Sequence, residues 1–278
     1  MPDKDTKKET SVNKYEHHID IKSTPLTPFK ARKTSCCMNS SCNWHDNLEI
    51  LYITEGTGTL RYGTVNIDMI PETVIIINSQ TMHSITSEKG VTFYMYIIDN
   101  GFFEENGIDI TKYTFRTVTD SKQLTELCRN AYSEILKTRD NLSAARLRKA
   151  FLALILELCE NHVLGESKAE TGSAGSEQYV KKAMEYINDN YTEKLTLDGI
   201  AKIIGINKSY FAREFKKYAG QTVHTYINLV RCTAADSLLS RGLSVTEAAM
   251  SSGFETLSYF SRTYRKLRGV SPNSGRSK

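Results

Sequence analysis

The chain has 278 residues, 40% of them apolar, with 36 Lys and Arg against 32 Asp and Glu for a net charge of +4. That length favours two domains over one, and the apolar content supplies real cores, which excludes a disordered chain. Six cysteines are too sparse for a disulfide scaffold, and no apolar run approaches the roughly 20 residues that span a bilayer, so a reduced, cytoplasmic protein is expected.

Residues 1–18 are polar and charged and read as a mobile tail without a secretory leader. Residues 19–118 carry a β pattern. LEILYI (Leu48–Ile53), TVIIIN (Thr73–Asn78) and TFYMYII (Thr92–Ile98) are β-branched and aromatic runs. Turns are expected at Glu55–Gly58, Tyr62–Gly63 and Ile70–Glu72, and short strands at this spacing predict a sandwich or barrel. Within residues 119–164 the period becomes helical. One stripe holds Leu124, Leu127, Cys128, Ala131, Ile135 and Leu136, and a second holds Leu147, Ala150, Phe151, Leu154, Ile155 and Leu158. Asp140–Ser143 breaks the pair and is expected to supply an N-cap. The two stripes bury against each other, against the barrel or in a homodimer seam. Residues 165–176 are rich in Gly and Ser and read as a flexible linker crossed by few contacts.

Residues 177–278 read as an all-helical domain with 16 Lys and Arg against 9 Asp and Glu, whereas residues 1–176 carry 20 against 23. The basic third contains an internal repeat: SYFAREFKKYAG (Ser209–Gly220) returns as SYFSRTYRKLRG (Ser258–Gly269). Each copy follows a short apolar helix ending in glycine, Gly205 or Gly253, and the second turn is one residue longer. Val223–Leu239 reads as one long helix joining the copies. Lys208, Ser209, Ala212, Arg213, Lys216 and Lys217 form the outer face of the first basic helix. Leu257, Ser258, Ser261, Arg262, Arg265 and Lys266 form that of the second. Two basic helices behind tight turns are the pattern of a tandem helix-turn-helix reader of duplex DNA. In that reading Arg213 and Arg262 donate to guanine edges, the serines approach bases or phosphates, and Lys216, Lys217, Arg265 and Lys266 hold phosphates. A merely solvated face explains one charge run but not its repetition at equivalent positions.

From Tyr179 onward the chain closely resembles the DNA-binding domain of the AraC/XylS transcriptional regulators, on YINDNY, the segment Arg231–Ala235 and above all GFETLSYFSRTYRKLRGVSP. The resemblance implies base-facing positions at Ser209, Ala212 and Arg213, and at Leu257, Ser258, Ser261 and Arg262. The chain departs from the family pattern at Gly199, read as helix-interior with a cost of roughly 1 kcal/mol. It departs also at Ala212, which cannot donate a hydrogen bond, and at Gly275, where an aromatic is usual. Upstream, NWHDNLEILYITEG (Asn43–Gly56) resembles the first cupin motif in its His45, Glu49 and Gly56, with Asn43 at the first ligand position. His83 stands near the place of the second motif's histidine. The expected fold is therefore α+β, a cupin-like barrel with a helical pair followed by the helical DNA-binding domain.

Imidazole and carboxylate suit divalent metals, but Asn43 is a weak ligand. His45, Glu49 and His83 are accordingly read as a polar cluster that hydrogen-bonds an organic effector, or as satisfied strand residues. No metal, cofactor or catalytic residue is expected. Trp44 is expected to stack on a sugar, with Tyr96 as a further effector contact, and Cys36, Cys37 and Cys42 read as buried or incidental thiols. The resemblance implies a bacterial regulator, with activation favoured, that binds promoter DNA, RNA polymerase, a small effector and a second copy of itself. The rival readings are a metal-dependent cupin enzyme carrying a DNA-targeting domain, and a regulator without effector whose barrel only dimerises.

Overall fold

The computed structural model describes residues 29–39, 42–138, 140–166 and 174–273. The expected tail at 1–18, the side chains of Cys36 and Cys37, and Gly275 lie outside the described residues. The strands are β1 (Phe29–Asn39), β2 (Leu48–Gly56), β3 (Gly58–Tyr62), β4 (Val65–Met69), β5 (Val74–Ile77), β6 (His83–Ile98), β7 (Tyr113–Phe115), β8 (Val118–Thr119) and β9 (Val163–Glu166). The helices are α1 (Asn100–Glu105), α2 (Lys122–Leu136), α3 (Ser143–Asn161), α4 (Ala174–Asp189), α5 (Leu197–Ile204), α6 (Lys208–Ala219), α7 (Val223–Ser240), α8 (Val245–Ser251) and α9 (Leu257–Arg268).

The N-terminal domain is a curled antiparallel sheet, a half-barrel in the order β4-β3-β6-β2-β5-β8, with β1 also paired to β6. The long β6 is the hinge of this arrangement. Its first residues pair with β3, as Leu60 with Ile85, and its second half pairs with β2, as Leu51 with Met95. Alternation along each strand sends side chains to two cores. Ile50, Tyr52, Val74, Ile76, Tyr96 and Ile98 meet Leu124, Cys128, Phe151, Leu154 and Leu158 of α2 and α3. Leu51, Ile53, Leu60, Met69, Ile75, Ile77, Phe93, Met95 and Ile97 pack together on the other face, inside the curl. A strand buried on both faces reads as an unbroken apolar run, which is why VIII in β5 is buried at all four positions. The expected turns are present, with Gly56, Gly63 and Glu72 at positive φ.

Two local expectations are corrected and a third is refined. Gly165 and Glu166 belong to β9, which pairs with β7, and Ala174–Ser176 open α4, so both ends of the proposed linker are regular structure. The N-cap of α3 is Leu142, whose apolar side chain accepts no hydrogen bond; Asp140 accepts from the Leu142 amide at 2.9 Å instead. Gly199 does lie inside α5, as its third residue: Thr196 is the N-cap and accepts from the Gly199 amide at 3.0 Å, so the glycine sits in the first turn rather than the middle of the helix.

The C-terminal domain holds two cores joined by α7. Tyr226, Ile227 and Val230 pack with α4, α5 and α6, while Cys232, Ala235 and Leu239 pack with α8 and α9. Arg231, between these groups, donates to the carbonyls of Tyr191 (2.7 Å) and Glu193 (2.8 Å). Gly253 closes the same junction. Its φ is +87°, and a Cβ there would stand 2.6 Å from Tyr191 O. Gly253→Ala is expected to cost about 1–3 kcal/mol. Gly205→Ala should cost less, because φ is +80° there but no atom lies within 4 Å. Chemical denaturation of the two variants checks that order.

Candidate nucleic-acid interface and effector site

The recognition helices are built as the repeat suggests. Asn207 caps α6 by accepting from Ser209 and Tyr210, and Thr256 caps α9 by accepting from Tyr259. Phe211, Phe215 and Tyr218 bury one side of α6, and Phe260 and Tyr264 one side of α9. The opposite sides carry the expected outer residues. Lys208, Ser209, Arg213, Lys216 and Lys217 are exposed and Ala212 half-buried; Leu257, Ser258, Arg262, Arg265 and Lys266 are exposed and Ser261 half-buried. Arg213 lies over the Tyr210 ring, 5.2 Å from its centroid, and its Nε donates to Glu214 at 3.3 Å. Arg268 differs from its basic neighbours. It donates to Asp236 at 2.9 Å, and Asp236 also accepts from Tyr264 at 2.5 Å, so this arginine ties α9 to α7.

The five proposed effector residues are all buried, and three come together. Glu49 on β2 and His83 on β6 share the face of the sheet that lines the curl, and the turn before β2 brings in His45. Glu49 Oε2 lies 2.9 Å from His45 Nε2 and 3.1 Å from His83 Nε2. Burial opposes the charge on Glu49, but the facing His83 and the hydrogen bonds from both rings hold its carboxyl well below the usual carboxylate range. Burial likewise works against a cation on His83, and Glu49 outweighs it, so the His83 pKa is raised.

Tyr96 and Trp44 stand elsewhere. Tyr96 points to the helix-covered face, donates to Cys128 O at 2.7 Å and packs edge-on against Phe151, as a core residue. Trp44, 2% exposed, leaves the sheet domain altogether. With Cys42 and Met82 it belongs to the core of the first helix-turn-helix unit, among Val180, Ala183, Met184, Phe215 and Ala219. Lys181 of α4 lies 5.9 Å from the centre of its ring. Cys42 is a buried thiol, pushed up to about 12 by desolvation.

Sequence reasoning missed the residues that complete this junction between domains. Gln80 adopts a φ of 62°, and its carbonyl accepts from Lys181 Nζ at 2.6 Å. Arg61 of β3 reaches the C-terminal end of α6. Its Nη2 donates to Lys217 O and its Nε to Tyr218 O at 3.4 Å. A cation at a helix C-terminus meets the free carbonyls and the negative end of the helix dipole. Beside this contact is a cleft of about 400 Å³ lined by Thr59, Arg61, Asn66, Ser84, Thr86 and Ala219–Gln221. The junction overturns the expectation of few contacts between the domains. The one sequence signal for it was an apolar Trp44 beside polar neighbours.

A curled-sheet ligand-binding domain joined to a tandem helix-turn-helix domain defines a DNA-binding transcriptional regulator. An AraC-like ligand binding domain matches residues 38–156 and a helix-turn-helix domain matches residues 200–278, and the chain belongs to the AraC family. It is similar to the uncharacterized HTH-type transcriptional regulator YdiP of Escherichia coli K12, at 24% identity over 241 residues, 84% of this chain and 79% of that protein. It is also similar to the Msm operon regulatory protein of Streptococcus mutans, at 24% over 240 residues, 83% and 84% of the two chains. An apo structure of a ToxT variant from Vibrio cholerae shares the fold, with a TM-score of 0.51 and 15% identity over 89% of this chain and 96% of that one. No helix among the described residues is long and apolar enough to cross a membrane.

Trp44→Ala is expected to cost about 3–5 kcal/mol, as for an aromatic removed from a packed core. Thermal unfolding of the full chain checks this; a loss below about 1 kcal/mol would mean that the ring is not seated between the domains.

Proposed function

We propose that the joined arrangement is the resting state of an effector-controlled activator. The observation that carries this reading is Arg61, which fastens the sheet domain to the end of α6, the first recognition helix. An effector that binds the cleft beside Arg61 competes for its guanidinium and shifts the balance between joined and released arrangements. The shift can be no larger than its differential affinity for the two. The hydroxyl and amide groups of Thr59, Asn66, Ser84 and Thr86 suit a small polar metabolite and support a sugar. Trp44 no longer supports one, since its ring is covered by the helical domain. His45, Glu49 and His83 lie behind the cleft, with His83 adjacent to Ser84 in sequence.

On DNA, Arg213 and Arg262 read guanine edges in this proposal, with Ser209, Ser258 and Ser261 beside them. Lys208, Lys216, Lys217, Arg265 and Lys266 hold phosphates. Activation proceeds through contact with RNA polymerase. Leu136, Leu142 and Leu156 are exposed on the α2–α3 hairpin and support a homodimer seam there.

Arg61→Ala in the full chain is expected to raise DNA affinity without effector by roughly 5- to 150-fold, the range of ordinary coupling energies. It should also flatten the response of promoter output to the inducer. Quantitative binding and reporter assays check both, and an unchanged inducer response would overturn the assignment. Arg213→Ala and Arg262→Ala should each cost roughly 1–3 kcal/mol at one cognate base, whereas Lys217→Ala should weaken all sequences alike. Selection-based binding profiles separate the two behaviours, and a uniform loss for the arginine variants would make them phosphate contacts.

A further inference from the structure

We infer that a cavity between α7 and α9 holds one backbone phosphate of the bound duplex, so that α7 joins the two recognition helices as a third DNA contact. The cavity has a volume of about 360 Å³. His224, Thr225 and Asn228 of α7 form one wall, and Tyr259, Arg262 and Lys266 of α9 form the other. Among the described residues its lining carries two permanent cations and no acid, and Leu267 is its one wholly apolar side chain.

The hydrogen bonds within the cavity call for a ligand that accepts. Asn228 is buried, and its amide nitrogen lies 2.8 Å from the Tyr259 hydroxyl and 3.4 Å from His224 Nδ1. An amide nitrogen only donates, so His224 Nδ1 accepts and the ring carries its hydrogen on Nε2. That Nε2 lies 3.2 Å from the same hydroxyl and donates to it. The Tyr259 oxygen thus receives two hydrogens, and its own hydrogen is left to give away. A phosphodiester oxygen only accepts, and it carries the charge that Arg262 and Lys266 attract. The first turn of α7 adds to the attraction. Thr222 caps this 18-residue helix, and the amides of its first turn have no intrahelical acceptors and lie at the positive end of the helix dipole.

Position identifies the anion. Arg262 and Lys266 are exposed on the outer face of α9, and His224 is exposed on α7 across the cavity from them. A free anion seated here would have to leave as DNA covers α9, whereas a phosphate of the duplex arrives with it. The walls also offer little apolar surface for the body of a metabolite. The inference rests on DNA binding through α9 and adds α7 to it. Because α7 is packed into the cores of both units, a phosphate tied to its first turns fixes how deeply α9 enters the groove. Such a contact positions the helix and reads no base. His224 acts through Tyr259 and is a positioning residue.

The test uses the full chain and a duplex recovered by selection with it. Single methylphosphonate linkages, each of which removes the charge of one phosphate, are scanned along both strands. Three variants are compared with the wild type: Tyr259→Phe, which keeps the ring, and His224→Ala and Lys266→Ala, which change exposed side chains. Each should weaken binding to the unmodified duplex roughly 5- to 10-fold. All three losses should largely disappear at one and the same methylphosphonate linkage, because the partner of all three side chains is already gone there. Lys266→Ala should also lower the slope of log affinity against log salt by about one. Inorganic phosphate titrated into the DNA-free chain should not saturate below millimolar concentrations. Variants that lose affinity alike at every linkage, coupling of His224 and Lys266 to different linkages, or micromolar binding of inorganic phosphate would each overturn the assignment while leaving DNA binding by α9 in place. A chain that recovers no duplex would overturn both.

Discussion

One indole ring joins two folds. Trp44, with Cys42 and Met82 beside it, extends from the sheet domain into a core built by α4, α5, α6 and α7. Burying an aromatic of this size removes a large apolar area from water and makes separation of the domains costly. The smaller contacts follow from that seating. Lys181 covers the ring and accepts nothing, so its ammonium finds the Gln80 carbonyl. Arg61, carried on β3 beside the junction, meets the helix end that Trp44 has brought near.

The sheet is suited to carry such a contact because it is rigid on both sides. Its two faces feed separate cores, one against α2 and α3 and one within the curl. A close-packed strand transmits displacement rather than absorbing it. Glu49 and His83 share the sheet face of the inner core, and the residues beside the triad, Trp44 and Met82, are buried in the helical domain.

The DNA-binding half was legible because its determinants are local. The repeat, glycine at the helix ends, capping Asn207 and Thr256, and the aromatic spacing all fall within a few residues of one another. The strands of the other half were legible for the same reason, as were the turns at Gly56 and Gly63. Period-2 alternation separates two faces but does not say which face a helix will cover, so Tyr96 read as a pocket residue and proved to be core. Trp44 failed for a related reason: an apolar ring in a polar turn says that it needs cover, not what covers it. Arg61 and Lys217 are 156 residues apart, and no local pattern records such a pairing. The cluster of His45, Glu49 and His83 was read from a resemblance to the cupin motifs, while its closure from solvent needed the folded packing.

Helix α7 has a consequence for the DNA rather than for the protein. Its first half is sunk in one recognition unit and its second half in the other, with Arg231 and Gly253 locking the junction. The two basic helices therefore keep a fixed separation and angle. A duplex that engages both must itself supply any curvature or change of twist between them. The energy of that deformation depends on the stiffness of the intervening base steps. Sequence preference thus extends to base pairs that no side chain touches, and the rigidity of one helix becomes a selection for flexible DNA.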